Sequence, residues 1–240
     1  ETGGREEVKG TGEKDFTGAL MKLTRTTKHK IMFTVGHGEL SPEATDQSGM
    51  AEVKTVLSEQ QHTVETLDLM GKERKVPADC SVLVIAGPQV EFQADEQKAV
   101  KDYFAAGGPL LVLLRVAGPS LPWLMTELGV KPEDNIVAQI VEIPGTGLAE
   151  ISKTVRIYYP LVRSLKAASP APAGITTTNI MRTADDAIGK PLKQGQRTVD
   201  LRPGTNDPKG PFTLAMAAEK DAAGKKARAV IVGGTEWASD

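Results

Sequence analysis

The chain has 240 residues, 29 Lys plus Arg against 31 Asp plus Glu, a formal charge of −2, and 40% hydrophobic residues with 24 Gly and 15 Pro. That balance belongs to a folded globular protein with a sizeable core, and the near-neutral charge offers no global field for nucleic acid or anionic lipid. A single cysteine, Cys80, excludes an internal disulfide, three histidines argue against a multi-histidine metal site, and neither metal nor cofactor is expected.

Residues 1 to about 15 lack an apolar period and read as a lead-in, followed by a short helix through Phe16, Ala19, Leu20 and Leu23. The opening Glu1-Thr2-Gly3-Gly4 is neither a start methionine nor a signal pattern, so the expectation is a trimmed boundary from which any native signal or anchor has been removed. The apolar run Lys30 to Val35 predicts a buried strand ended by Gly36-His37-Gly38, and Met50 to Gln60 carries apolar residues at helical spacing. Val64 to Leu69 and Ser81 to Ala86 predict two more strands, the latter stopped by Gly87-Pro88. Asp95 to Ala105 predicts a helix closed by Gly107-Gly108, and Leu110 to Leu114 a fourth strand. The longest apolar runs, Val82–Ala86 and Pro109–Leu114, fall far short of the roughly 20 residues of a spanning helix.

Short, continuously apolar strands alternating with amphipathic helices imply a mostly parallel sheet covered on both faces, because only that arrangement buries both sides of each strand. Residues 1–27 are taken as lead-in and short helix, and 28–240 as one α/β domain, with a doubly wound half at 28–130 and a second half at 131–240 that completes the sheet. In that second half, Ile136 to Ile143 and Val155 to Tyr159 read as strands, Pro160 to Leu165 as a turn or short helix and Pro170 to Gly174 as a stiff connector. Phe212 to Ala218 and Ala227 to Val232 read as late strands separated by a polar loop from Glu219 to Lys226.

Parallel sheets bind ligands where loops leave the carboxyl ends of their strands. Gly36, His37, Gly38 and Glu39 follow the first strand there; Gly87, Arg115, Thr235 and Glu236 end three others, so these eight residues form the candidate ligand-binding crevice. Arg115 is placed to clamp a carboxylate or phosphate, or to pair with Glu39 or Glu236. The plainer reading of the first loop is a glycine-shaped turn in which His37 and Glu39 bond neighbouring loops. No P-loop lysine motif is present, Gly145 to Glu150 lacks the third glycine of a dinucleotide loop, and no Gly-x-Ser-x-Gly or Gly-x-Cys-x-Gly elbow occurs. Cys80 precedes its strand, at the wrong edge for a nucleophile, and Ser120 reads as a helix N-cap. Trp123 and Trp237 read as packing residues, or as sugar-stacking platforms where exposed.

The order of these motifs resembles a known family. Lys30 to Glu39, Val76-Pro77-Ala78-Asp79, Val82 to Pro88, Glu96 with its helix and Gly107 to Val112 are similar to the GldG-like, gliding-motility-type auxiliary domain of ABC-type transport systems. Tyr159-Pro160-Leu161-Val162, Leu214 to Ala217 and the ending Val230 to Asp240 extend the resemblance, with Tyr159 where that family has His, and Gly234 and Glu236 where it often has Asp. The resemblance implies a Rossmann-like fold similar to class I glutamine amidotransferases, without their cysteine elbow. It also implies a periplasmic domain of an inner-membrane protein, held by flanking transmembrane helices outside this chain and accompanying an ABC permease, its ATPase or cell-envelope proteins. A related domain in intraflagellar transport proteins serves protein assembly.

The expectation is therefore a non-enzymatic extracytoplasmic interaction domain that binds no nucleic acid. The alternatives are a glycan- or peptide-binding module at the strand-end crevice and a divergent hydrolase using His37 and Glu39 as acid and base.

Overall fold

A computed structural model describes residues 28–46, 49–71, 74–142, 157–192, 204, 206–222 and 224–235. The apolar runs become the strands of its parallel half: β1 (Lys30–Val35), β2 (Thr63–Asp68), β3 (Val82–Ala86) and β4 (Leu110–Leu113), joined late in the chain by β12 (Lys225–Val232). Their order is β2-β1-β3-β4-β12, every neighbour parallel, with Met32 opposite Leu83, Leu83 opposite Leu110 and Ile231 opposite Val112. This is the flavodoxin-like arrangement, in which the strand order reverses between β1 and β3 and opens a crevice at their carboxyl ends.

Side-chain alternation sorts the core onto two faces. Met32, Leu83, Ile85, Val112 and Ile231 point to the face covered by α2 (Ala94–Ala105) and α3 (Pro122–Leu128). Phe33, Val84 and Val232 point to the other, beneath Leu40 and Met50 at the start of α1 (Ala51–Glu59). Leu83, Ile85 and Val112 are fully buried, each worth about 1.5–3 kcal/mol of burial. Helix α2 buries Glu96, Ala99, Val100 and Phe104, one face at helical spacing. It ends where Gly107 adopts φ +93° and the Gly108 N–H donates to the Tyr103 carbonyl at 2.9 Å.

The second half continues the same sheet. It comprises β5 (Val130–Pro132), β6 (Asn135–Glu142), β7 (Ile157–Val162), β8 (Leu165–Ala167), β9 (Ile175–Thr183), β10 (Ile188–Pro191) and β11 (Thr213–Ala222). Strands β12, β11, β9, β6 and β10 pair antiparallel in that order, with β7 on β6 and β8 bridging β11 to β5. The expected α/β class, Rossmann-like half and extension by later strands are all present. The extension is antiparallel, so the sheet as a whole is mixed.

Several local readings are corrected. The loop expected from Glu219 to Lys226 is paired strand: Glu219 lies opposite Arg228 and Asp221 opposite Lys226. Its charges are cross-strand partners, the Arg228 guanidinium donating to Glu219 at 2.9 Å. The turn or short helix expected at Pro160 to Leu165 is instead the end of β7, a two-residue break and the start of β8. Ser120 does not cap α3; Leu121, with φ +49°, holds that position and Pro122 begins the helix. The helix expected at Phe16 to Leu23 and the glycine-containing segment Gly145 to Glu150 lie outside the described residues.

Candidate functional site

Among the described residues, the loops after β1 and β3 meet at the point where strand order reverses. Gly36 and Gly38 adopt φ of +113° and +76°, a region costly for residues with a Cβ, and the intervening His37 turns inward instead of facing solvent. The following loop docks on it: the Gln89 N–H donates to the His37 carbonyl at 2.8 Å, and the Gln89 side chain donates to the Gly38 carbonyl at 3.0 Å.

His37 is 4% exposed and lies between two carboxylates that are themselves only 1% and 2% exposed. Its Nδ1 is 3.2 Å from Glu39 Oε1 and its Nε2 is 3.0 Å from Glu96 Oε2. The His37 backbone N–H donates to Glu39 Oε2 at 2.7 Å, which closes the tight turn. Glu96 belongs to the first turn of α2, where its Oε2 also accepts the Gln93 N–H at 2.6 Å, as in a capping box. Phe92 covers the imidazole, stacked with ring centroids 4.0 Å apart, and Trp123 tilts against Phe92 at 5.7 Å.

Each imidazole nitrogen faces a carboxylate oxygen, so both ring positions are taken up by buried contacts. Neither nitrogen is open to an outside proton or metal. Taking up either requires breaking a buried contact. The remaining Glu96 oxygen, Oε1, and the Trp123 indole Nε1 are buried without a hydrogen-bond partner. Among the described residues no group of three His, Cys, Asp or Glu side chains is arranged to hold a metal ion.

The other predicted residues gather one strand further along. Gly87 adopts φ +65°, and a Cβ there would stand 2.5 Å from Thr235 Cγ2 and 3.6 Å from Arg115 Nε. Arg115 donates through Nε to the Gly87 carbonyl at 3.2 Å. It does not pair with Glu39, whose carboxylate faces His37. Glu236 and Trp237 lie outside the described residues. In the sequence Glu96 belongs to the family-like motif but carries no site role, and Phe92 does not stand out. The available signal was the glutamate three residues beyond Gln93 at the start of an amphipathic helix, the spacing that returns a carboxylate to its own N-terminus.

The geometry beside the first loop carries two exposed apolar side chains. Met70, 49% exposed, follows β2 next to Gly36, and Val90, 56% exposed, follows the Gln89 contact. The half of the chain that builds this edge also carries the sequence match. Residues 28–117 match the auxiliary family described as an ABC-type uncharacterized transport system. Nothing among curated proteins matches the chain. Among solved structures, the mmIFT52 N-terminal domain superposes with a TM-score of 0.61 at 17% identity, covering 88% of each chain, and so shares the fold. More remote are a ThuA-like protein from Bacteroides uniformis, with a TM-score of 0.48 at 13% identity over 87% of this chain and 83% of that one, and a glutamine amidotransferase from Thermotoga maritima, with 0.45 at 10% over 86% and 75%.

A second polar cluster lies where the break between β7 and β8 meets the end of β12, the Arg163 N–H donating to the Gly233 carbonyl at 2.8 Å. Arg163 donates to the Glu133 carbonyl at 3.1 Å and to Asp134 at 2.9 Å, and burial pulls its guanidinium below the usual arginine value. The Ser164 hydroxyl donates to Glu133 at 2.6 Å, and Lys166 pairs with the same carboxylate at 2.5 Å. Burial raises the Glu133 pKa, but Lys166 and Ser164 outweigh it and hold the carboxyl below its ordinary range. Ser164 is 1% exposed; its hydroxyl links β-strand ends and is closed to substrate.

Proposed function

We propose that this chain is a non-enzymatic, extracytoplasmic interaction domain of a membrane-anchored auxiliary subunit in an ABC transporter of the gliding-motility type. What supports the reading most is the enclosure of His37. The one imidazole at the sheet's binding edge is occupied at both nitrogens, covered by Phe92 and bordered by buried carboxylates, so the edge acts through its shape and exposed apolar groups. Arg115, the cation best placed to clamp an anionic ligand, donates to a backbone carbonyl. The family match over residues 28–117 supplies the transporter context, and the permease, its ATPase and neighbouring envelope proteins are the partners that context implies.

Affinity purification of the full-length protein from cross-linked native membranes tests this. The expected result is co-recovery of a permease and an ATPase encoded beside it. Recovery of neither, with the protein intact and abundant, would argue against the reading, and so would hydrolytic turnover that disappears in His37→Ala.

A further inference from the structure

Right-handed crossovers place the β2–β3 connection on the same sheet face as α2 and α3. Those two crossovers run through helices, whereas the connection from Leu69 to Ser81 shows no helix among its described residues. A groove of about 700 Å³ lies there, between residues 74–80 and α2. It runs from Asp95 at one end of α2 to Ala106 and Gly107 at the other, a length of about 17 Å at 1.5 Å per helical residue.

Its floor is mostly apolar, with Val76, Pro77, Ala99 and Pro109, and the Tyr103 hydroxyl on that floor donates internally to the Cys80 carbonyl at 3.3 Å. Two ion pairs on the rim, Arg74 with Asp95 and Lys98 with Asp102, satisfy one another. Two further lysines line the groove, Lys75 near the Arg74 end and Lys225 beside Gly107, and neither has a charged partner among the described residues. Among the described residues the rim therefore carries two lysines without a charged partner, one toward each end of an apolar trough of helix length.

We infer that this groove is a docking site for an acidic amphipathic helix of a partner protein, which lays an apolar stripe along α2 and presents carboxylates to Lys75 and Lys225. The mode is helix-in-groove recognition, with the occupant taking the seat that a β2–β3 crossover helix would fill. This inference goes beyond the transporter reading and does not depend on it.

The test is fluorescence anisotropy with a labelled amphipathic peptide of about 14 residues, Leu at helical spacing and Glu at both ends. Controls are the same peptide with Lys for Glu, a scrambled peptide of identical composition, and decanoate as a small apolar acid. The Glu peptide is expected to bind saturably and the scrambled one not to bind. Lys75→Glu with Lys225→Glu should weaken the Glu peptide about tenfold and strengthen the Lys peptide correspondingly. Ala106→Trp, at an exposed groove position, should abolish binding while leaving the urea midpoint unchanged. Equal binding of the scrambled peptide, indifference to the lysine reversal, or binding of decanoate without the Glu peptide would each overturn the inference.

Discussion

The Nε2 of His37 lies 3.0 Å from Oε2 of Glu96, a contact across 59 residues of sequence that ties the loop after β1 to the first turn of α2. With Glu39 at the other nitrogen, this contact converts the most chemically suggestive residue of the chain into a fastener for the sheet's binding edge. The fastener has measurable consequences.

His37→Ala removes a buried ring that stacks on Phe92 and leaves two buried carboxylates facing each other across a cavity. The expected loss is about 2–4 kcal/mol of unfolding free energy by urea titration. A loss below about 0.5 kcal/mol would show that the cluster does not hold the edge together.

Gly87→Ala forces a Cβ into a backbone at φ +65°, 2.5 Å from Thr235 Cγ2. A destabilisation of about 1–3 kcal/mol is expected. Because part of that cost is the clash with one methyl group, Thr235→Ser should restore some of it in the double variant. Strict additivity of the two changes in a double-mutant cycle would contradict the contact.

Acid and alkaline limbs of stability both include the pair at the start of β1. The ammonium of Lys30 lies 2.8 Å from Asp79 and 3.2 Å from Glu65. Asp79 is held below its ordinary value mainly by the hydrogen bond from Lys30, so its contribution is present above about pH 4 and is lost as pH falls through the lowered value. Lys30 is raised above its ordinary value mainly by the hydrogen bond to Asp79, so its contribution is complete below about pH 10 and is lost as pH rises through the raised value. The difference in thermal midpoint between wild type and Lys30→Met should be greatest between these limits and close at both extremes. A pH-independent difference would contradict the pairing.

Cys80 is buried, and desolvation raises its thiol above the usual cysteine value. Its reaction with a disulfide reagent near pH 8 should be slow in the native protein and should accelerate sharply across the urea transition. Rapid labelling of the folded chain would show that the groove floor opens.

The inner strands of the parallel half were legible because they are buried on both faces and read as apolar runs, Ile31 to Phe33 and Val82 to Ala86 among them. Thr176, Thr177 and Thr178 of β9 and Glu219 to Asp221 of β11 lie in antiparallel strands whose partners supply compensation that a single sequence does not display. At the site, the glycines around His37 announced a special turn. The carboxylate on its far side did not stand out, because Glu96 also serves the ordinary role of a helix-start residue and reaches His37 only through the crossover from β3. The two groove lysines were invisible for a simpler reason: 150 positions separate Lys75 from Lys225, and only the pairing of β12 with β4 brings the second to the end of α2.

In the proposed function, the sheet's carboxyl edge recognises a partner through its exposed apolar side chains while its polar groups serve the fold. The most direct measurement is a titration of the purified domain onto the detergent-solubilised permease–ATPase complex, comparing wild type with Met70→Glu/Val90→Glu. Both side chains are about half exposed, so the variant should keep its fold. Saturable wild-type binding is expected, weakened at least about tenfold in the double variant, a loss of roughly 1.4 kcal/mol. Saturable binding with equal affinity for both proteins, or no binding by either, would contradict that reading.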